Sequence, residues 1–431
     1  MAVEFILRVQ TTIRPFITSM MTLFKEHGSS ETESEHKMKL TIDSAIAAVV
    51  VYLLAFVSLP FIAWRQQLLL IAILVIFFIR YARTFIGQIR AAVVIPVMAY
   101  GIYTFFASFL NRNQPDSFLL TPLIFATSIG ALFLYMEYAR IHNQIESTVT
   151  LYYWMTLAIC LLNDALAVGN GIGADGNYLL GNKFPASYLH LILAAFAYHR
   201  YVYRRNATSM FTIDIRFFAL YAYAVFACSY FGCNTAAVGG IIMGVMYCFQ
   251  RYLLPIVRRP LVTTVTLLIC DTLLLINSAI ISWAPIRNFI VDNLNKSADL
   301  TGRMPIYQQW REIINAASWH GVGMENSYAF SMQITGAADV QNGLLHIILS
   351  SGCLGAILFL SAQYLLLLHA SHSINASFLV MAYAFIYISI VEVPFNKVYF
   401  AVLALIIYTA SSSSTYKQST SLYRSYKENC R

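Results

Sequence analysis

Apolar runs of membrane-spanning length follow one another along this chain with only short polar interruptions. They fall near residues 41–62, 67–82, 91–110, 118–138, 149–168, 184–203, 211–230, 234–250, 261–283, 342–368, 374–391 and 395–411. Crossing the hydrocarbon layer takes about 20 residues of helix, so the pattern predicts about twelve transmembrane helices, the second and eighth being marginal in length. Ahead of them, Phe5, Ile6, Val9, Ile13, Phe16, Ile17, Met20 and Phe24 recur at helical spacing, with Arg8, Thr11, Thr12 and Ser19 on the other side. This predicts an amphipathic helix in the headgroup layer, tethered by the polar stretch KEHGSSETESEHKMK. No cleavable signal is expected, because no basic start, apolar stretch and small-residue cleavage site precede Lys25. The expected domains are residues 1–40 as surface helix and tether, 41–411 as a transmembrane domain with a large external loop at 284–341, and 412–431 as a polar tail.

Composition strengthens that picture. The chain has 431 residues, 59% hydrophobic and 11% charged, with a mean hydropathy of +0.64, which is the profile of an all-α polytopic membrane protein. Its net charge of +8 lies in short clusters between apolar runs, not along one basic stripe, so nucleic acid is not an expected partner. Topology accounts for the charge instead. With both termini cytoplasmic, the inner connections hold Arg80, Arg83 and Arg90, then Arg140, then Arg200, Arg204 and Arg205, then Arg251, Arg258 and Arg259, and the tail carries Lys417, Arg424 and Lys427. The seven cysteines show no paired spacing that would indicate a disulfide framework or a metal site.

Two outer connections are long. GNGIGADGNYLLGNK, residues 169–183, is rich in turn formers, and the 284–341 loop carries Arg287, Lys296, Arg303 and Arg311. One face of the membrane thereby gathers Asp164, Lys183, Arg303, His320, His346, Glu392 and Lys397. Within the large loop, Tyr307, Trp310, Ile313 and Ile314 have the spacing of an amphipathic helix resting on the membrane, with Arg303 at its positive end. A guanidinium there offers a planar fork of donors that suits phosphate oxygens. His346 follows Asn342 by one helical turn, which fits either a shared site or a packing hydrogen bond. Asn182 and Lys183 fit either loop structure or contact with a diphosphate. Asp271, costly in lipid, is expected to have a partner and a structural or cavity role, and Asp214 and Arg216 are expected to be either interfacial or mutually paired. No internal repeat is visible, which counts against transporters built from repeats.

LTGRMPIYQQW, then HGVGMEN, then DVQNGLLHIILSSGCLGAILFL resemble, in order and spacing, the signature region of the O-antigen polymerase and ligase family. These are bacterial membrane enzymes that join glycans carried on polyprenyl pyrophosphate. YLLGNKFPASYLHLI is similar to the segment before the sixth helix of the family's capsule and exopolysaccharide polymerases. Gly302 and Arg303 match the family's Gly-Arg, Gly321 and Gly323 its Gly-x-Gly, Asn342 the asparagine opening the next helix, and Gly352 a glycine further along it. Glu392 resembles an acidic residue of the late outer turn. Gln341 departs from the histidine of the ligases, and Cys233 with Asn234 from a Ser-Arg pair of many members.

The resemblance implies glycosyl transfer from a polyprenyl-pyrophosphate-linked oligosaccharide to a sugar hydroxyl. The setting is the outer leaflet of the bacterial inner membrane, with no metal and no cofactor. Arg303 is the expected stabiliser of the departing diphosphate, and Glu392, His346, His320 and Asp339 are the candidate bases. Gly302, Gly323, Asn342, Asn182 and Lys183 are the expected substrate-binding positions. Membrane lipid and a chain-length regulator are the further partners. An O-antigen ligase, or a lipid-linked glycan flippase or transporter, are the alternatives.

Overall fold

Short polar side chains open many of the helices. Thr41, Asn182, Asp214 and Asn375 each accept a hydrogen bond from a backbone N–H in the first turn of the helix that follows, satisfying a donor the helix itself leaves free. The computed structural model describes residues 40–57, 64–114, 117–171, 176–204, 214–276, 283–288, 292, 303–370 and 375–410. Residues 1–39, the tail at 412–431, Gly302, Arg205 and much of the predicted outer loop lie outside them.

The described residues form helices and no strand. They are α1 (Ile42–Ala55), α2 (Trp64–Phe85), α3 (Ala91–Leu110), α4 (Leu120–Ile141), α5 (Ile145–Asn170), α6 (Lys183–Tyr198), α7 (Ile215–Tyr230), α8 (Asn234–Cys248), α9 (Gln250–Val257) and α10 (Pro260–Ile276). After them come α11 (Ala284–Asn288), α12 (Arg303–Gln308), α13 (Trp310–Ala317), α14 (Asn326–Thr335), α15 (Gly343–Ala370), α16 (Ala376–Ile388) and α17 (Lys397–Ala410).

Among the described residues, five helices are long and apolar enough to cross a membrane: α2 continued to Gln88, α3, α4, α5 and α15. A sixth span results if α8 and α9, bent by 102° at their junction, count as one. The remaining apolar helices, α1, α7, α10, α16 and α17, are shorter. Each predicted run thus corresponds to helix, but the lengths differ: the second run, expected to be marginal, is a 22-residue helix, whereas the eighth breaks. Large apolar side chains such as Leu69, Ile76, Ile79, Ile95, Ile102, Phe226 and Ile241 point outward, the arrangement of a bundle solvated by lipid. The chain is an α-helical membrane protein.

Burial is not shared evenly. α16 is buried on nearly every side, as its unbroken apolar sequence ASFLVMAYAFIYI requires, and α17 likewise. α3 packs along α4 and α15, α6 along α5, α7, α8 and α16, and α10 along α15 and α16.

α15 is broken. At Gly352 the backbone leaves the helix, with φ 72° and ψ −179°, and carbonyl and N–H groups on either side lose their helical partners. Residues 318–323 replace them: the N–H groups of Val322 and Gly323 donate to the carbonyls of Leu349 and Ser350 at 2.9 and 3.0 Å. In the other direction, Leu354 and Cys353 N–H donate to the carbonyls of Trp319 and Ser318 at 3.2 and 3.4 Å. A Cβ at Gly321, whose φ is +76°, would run into the backbone of residues 350–352, and one at Gly352 into that of Trp319. On the far side of the same loop, Asn111 donates to the Gly321 carbonyl at 3.0 Å and Ser108 accepts from Met324 N–H at 3.0 Å. The HGVG turn is therefore laced between the end of α3 and the gap in α15.

The loop helices turn apolar side chains inward, against the bundle. The predicted amphipathic stretch divides at Gln309 into α12 and α13. Ile306, Tyr307, Ile313 and Ala317 are buried against Val322, Val340, Leu345 and Leu349. Its apolar face is satisfied by the first part of α15, which the break at Gly352 sets apart from the rest of that helix.

Candidate functional site

Arg303 opens α12, and its guanidinium joins two distant segments. Nη2 lies 2.5 Å from Glu392 Oε1 and Nε donates to Gln341 Oε1 at 3.2 Å. Glu392 sits in the turn between α16 and α17, and its side chain is 8% exposed against 19% for Arg303. Tyr307, one helical turn after Arg303, donates from its buried hydroxyl to the carbonyls of Gln341 and Ile390 at 2.8 and 3.2 Å. It thereby ties α12 to both partners of the arginine. Gln341 is in the left-handed region, with φ 53°, a conformation unfavourable for a side-chain-bearing residue and held here by these bonds.

Asn342 stabilises the platform under this pair. Fully buried, it donates to the carbonyls of Asp271 and Ile390 at 3.1 and 3.2 Å and accepts from Leu345 N–H at 3.0 Å. Asp271 finds the partners the sequence led us to expect: it accepts from Leu344 N–H at 3.0 Å and from the Ser389 hydroxyl at 2.6 Å. Three elements, α10, α15 and the turn after α16, are thus tied at the floor of the Arg303–Glu392 pair. Asn342 serves as a positioning residue in this arrangement.

Burial is the main influence on Glu392 and pushes its carboxyl up to about 7; Arg303 opposes the shift, Asp339 adds to it and Lys183 again opposes it. The electrostatic reach of Lys183 brings the start of α6 to the same site. Asn182 caps that helix, accepting from Phe184 N–H at 3.0 Å, and so fixes where Lys183 begins it.

The other candidates divide. His346 Nδ1 lies 3.2 Å from Asp339 Oδ1, so the two form a pair of their own beside the Arg303 site, and His346 does not share a partner with Asn342. His320 is exposed at the gap in α15, with its Nδ1 2.8 Å from the Gly321 carbonyl. The helix between Gly343 and Gly352 spans about 13 Å, so His320 is not brought to Arg303. Gly323 belongs to the same lacing turn. Gly302 lies outside the described residues. Tyr307 and the role of Gln341 were not foreseen as parts of the site; the one-turn spacing from Arg303 to Tyr307 was the available signal. Of the two readings open for Asp214 and Arg216, the structure shows the pair, at 3.8 Å.

Among the described residues no group of three or more His, Cys, Asp or Glu side chains could hold a metal ion. The arrangement can offer a guanidinium fork to an anion, and beside it a carboxyl able to exchange a proton near neutral pH. In comparisons with known proteins, no family model, no curated protein and no solved structure matches this chain.

Proposed function

We propose that this protein is a polysaccharide polymerase of the bacterial inner membrane. It joins polyprenyl-pyrophosphate-linked oligosaccharide repeats at the outer leaflet, within a bundle of about twelve spans whose termini face the cytoplasm. The observation that carries the reading is the Arg303–Glu392 pair: a buried carboxyl with a raised proton affinity, held by an arginine that a diphosphate would compete for. As the diphosphate enters, its oxygens share the guanidinium with Glu392, which stays ionised beside it. The acceptor hydroxyl then attacks the anomeric carbon. The bond from that carbon to the diphosphate oxygen breaks, its electrons remain on the diphosphate facing Arg303, and the hydroxyl proton passes to Glu392.

Purified protein in lipid, supplied with a defined diphosphate-linked repeat, is expected to yield a ladder of products. Arg303→Lys keeps the charge and loses the fork, and is expected to slow the ladder at least about tenfold. Undiminished laddering in that variant would remove the fork from the mechanism. In cells, deletion distinguishes the alternatives: single repeats exposed outside indicate lost polymerisation, free long polymer indicates lost ligation, and repeats retained inside indicate lost flipping.

A further inference from the structure

On another flank of the bundle, three helices contribute one side chain each to a second polar cluster. Asp164 comes from α5, His190 from α6 and Tyr223 from α7. His190 is fully buried, with the rings of Tyr223 and Phe231 set edge-on to it at centroid distances of 5.3 and 5.7 Å. Its Nδ1 lies 2.7 Å from the Ala186 carbonyl. A carbonyl oxygen only accepts, so Nδ1 carries a hydrogen. Nε2 lies 3.2 Å from Asp164 Oδ2 and 3.3 Å from the Tyr223 hydroxyl, and that hydroxyl also donates to Asp164 Oδ2.

Counting hydrogens gives two arrangements on one set of heavy atoms. With Nε2 protonated, imidazolium and tyrosine both donate to the carboxylate. With Nε2 bare, the neutral ring can only accept there, and the tyrosine hydroxyl is shared between imidazole and carboxylate. A single proton separates the two, and neither needs the helices to move.

The cluster also has a way out. The Asp164 side chain is 20% exposed and lies near the end of α5, at the same end of the bundle as Lys183 and the Arg303 site. The buried Asn163 donates to Asp164 Oδ1 at 3.3 Å while its own Oδ1 has no hydrogen-bond partner among the described residues, so this end accepts one donor more. The titratable groups bearing most on the imidazole are Cys160 and Asp164 of α5 and Tyr223 of α7; none of these comes from α8 or α16, which also pack on α6. An ionisable triad in a membrane bundle that is neither a closed ion pair nor exposed to water on all sides is the chemistry of a proton relay.

We propose that Asp164, His190 and Tyr223 form a proton-binding relay that exchanges one proton through Asp164 with the side of the membrane on which the Arg303 site lies. It stands whichever reaction that site performs. Histidine nitrogen resonances of the full-length protein in lipid nanodiscs, followed from about pH 4 to about pH 9, test it, with His190→Gln identifying the signal. His190 is expected to pass from doubly to singly protonated within that range. Asp164→Asn is expected to weaken its proton affinity at least about tenfold, one pH unit in midpoint, and Tyr223→Phe, which keeps the ring, to move the midpoint less. A His190 ring that stays singly or doubly protonated throughout overturns the relay. So does a midpoint that neither Asp164→Asn nor Tyr223→Phe moves in folded protein.

Discussion

Two buried glutamates, at opposite ends of the bundle, meet arginine in different ways. Glu137 of α4 is fully buried, and both of its oxygens are occupied. Oε1 accepts from Arg90 Nε at 2.8 Å and the Tyr408 hydroxyl at 2.9 Å, and Oε2 from Arg140 Nη2 and Nε at 2.8 and 3.0 Å and from Arg90 N–H at 3.3 Å. Glu392 has Arg303 on one oxygen, and the charge of Asp339 acts against its ionisation. The first carboxylate is closed: it locks the start of α3, the end of α4 and α17 together, leaving little for a ligand to take. The second is open: Arg303 takes one of its oxygens, and the same guanidinium can share an incoming anion with it. The length of α3, about 30 Å from Arg90 to Leu110, separates the closed end from the turn that laces α15.

The largest effect is expected where the pair is closed. Glu137→Ala leaves two arginines facing each other without their carboxylate and should destabilise the fold by about 3–5 kcal/mol, read as loss of monodisperse protein on heating in detergent. If Glu137→Ala melts like wild type, the distinction between closed and open pairs fails. Arg303→Ala should do the reverse. Without the arginine that opposes its protonation, Glu392 becomes neutral at pH 7 and no uncompensated charge stays buried. Stability should change by less than about 1 kcal/mol, while on the proposed function polymer formation should fall by about two to three orders of magnitude, visible as single repeats in place of chains.

A third effect separates the site from the loop that carries it. Gly321→Ala puts a side chain at positive φ against the backbone of residues 350–352. It should loosen the turn by about 2 kcal/mol, with earlier proteolysis in residues 303–341 and a bundle melting as before. That latch shows what the sequence conceals. The apolar run at 91–110 coincides with α3, because burial in lipid and helix formation demand the same residues. The run at 342–368 gives no sign that its helix is interrupted, because Gly352 sits among apolar neighbours and its strain is relieved by residues 318–323, some thirty positions earlier. Arg303 and Glu392 were legible as single charges on one side of the membrane. Their meeting was not, since it depends on α12 folding back onto residues 390–392 through Tyr307. His190 and Tyr223, inside apolar runs, carried no signal apart from the company of Asp164.

The smallest effect tests the open pair most finely. Lys183 is half-buried, rests against the Phe184 ring at 5.5 Å, and bears on Glu392 through charge alone, favouring its ionised form. If Glu392 takes the acceptor's proton, it must be ionised beforehand, so activity should climb as pH rises through about 7. Removing Lys183 withdraws a stabilising positive charge, the carboxyl holds its proton to higher pH, and the climb should move in the alkaline direction by a few tenths of a pH unit. That corresponds to the sub-kilocalorie range of a partly solvated charge, below about 1 kcal/mol. Rates from the purified protein across the interval, for wild type, Lys183→Ala and Glu392→Gln, separate the possibilities. A shift in the acid direction, or an identical limb surviving in Glu392→Gln, would assign the proton to a different group, with the His346–Asp339 pair the nearest in place.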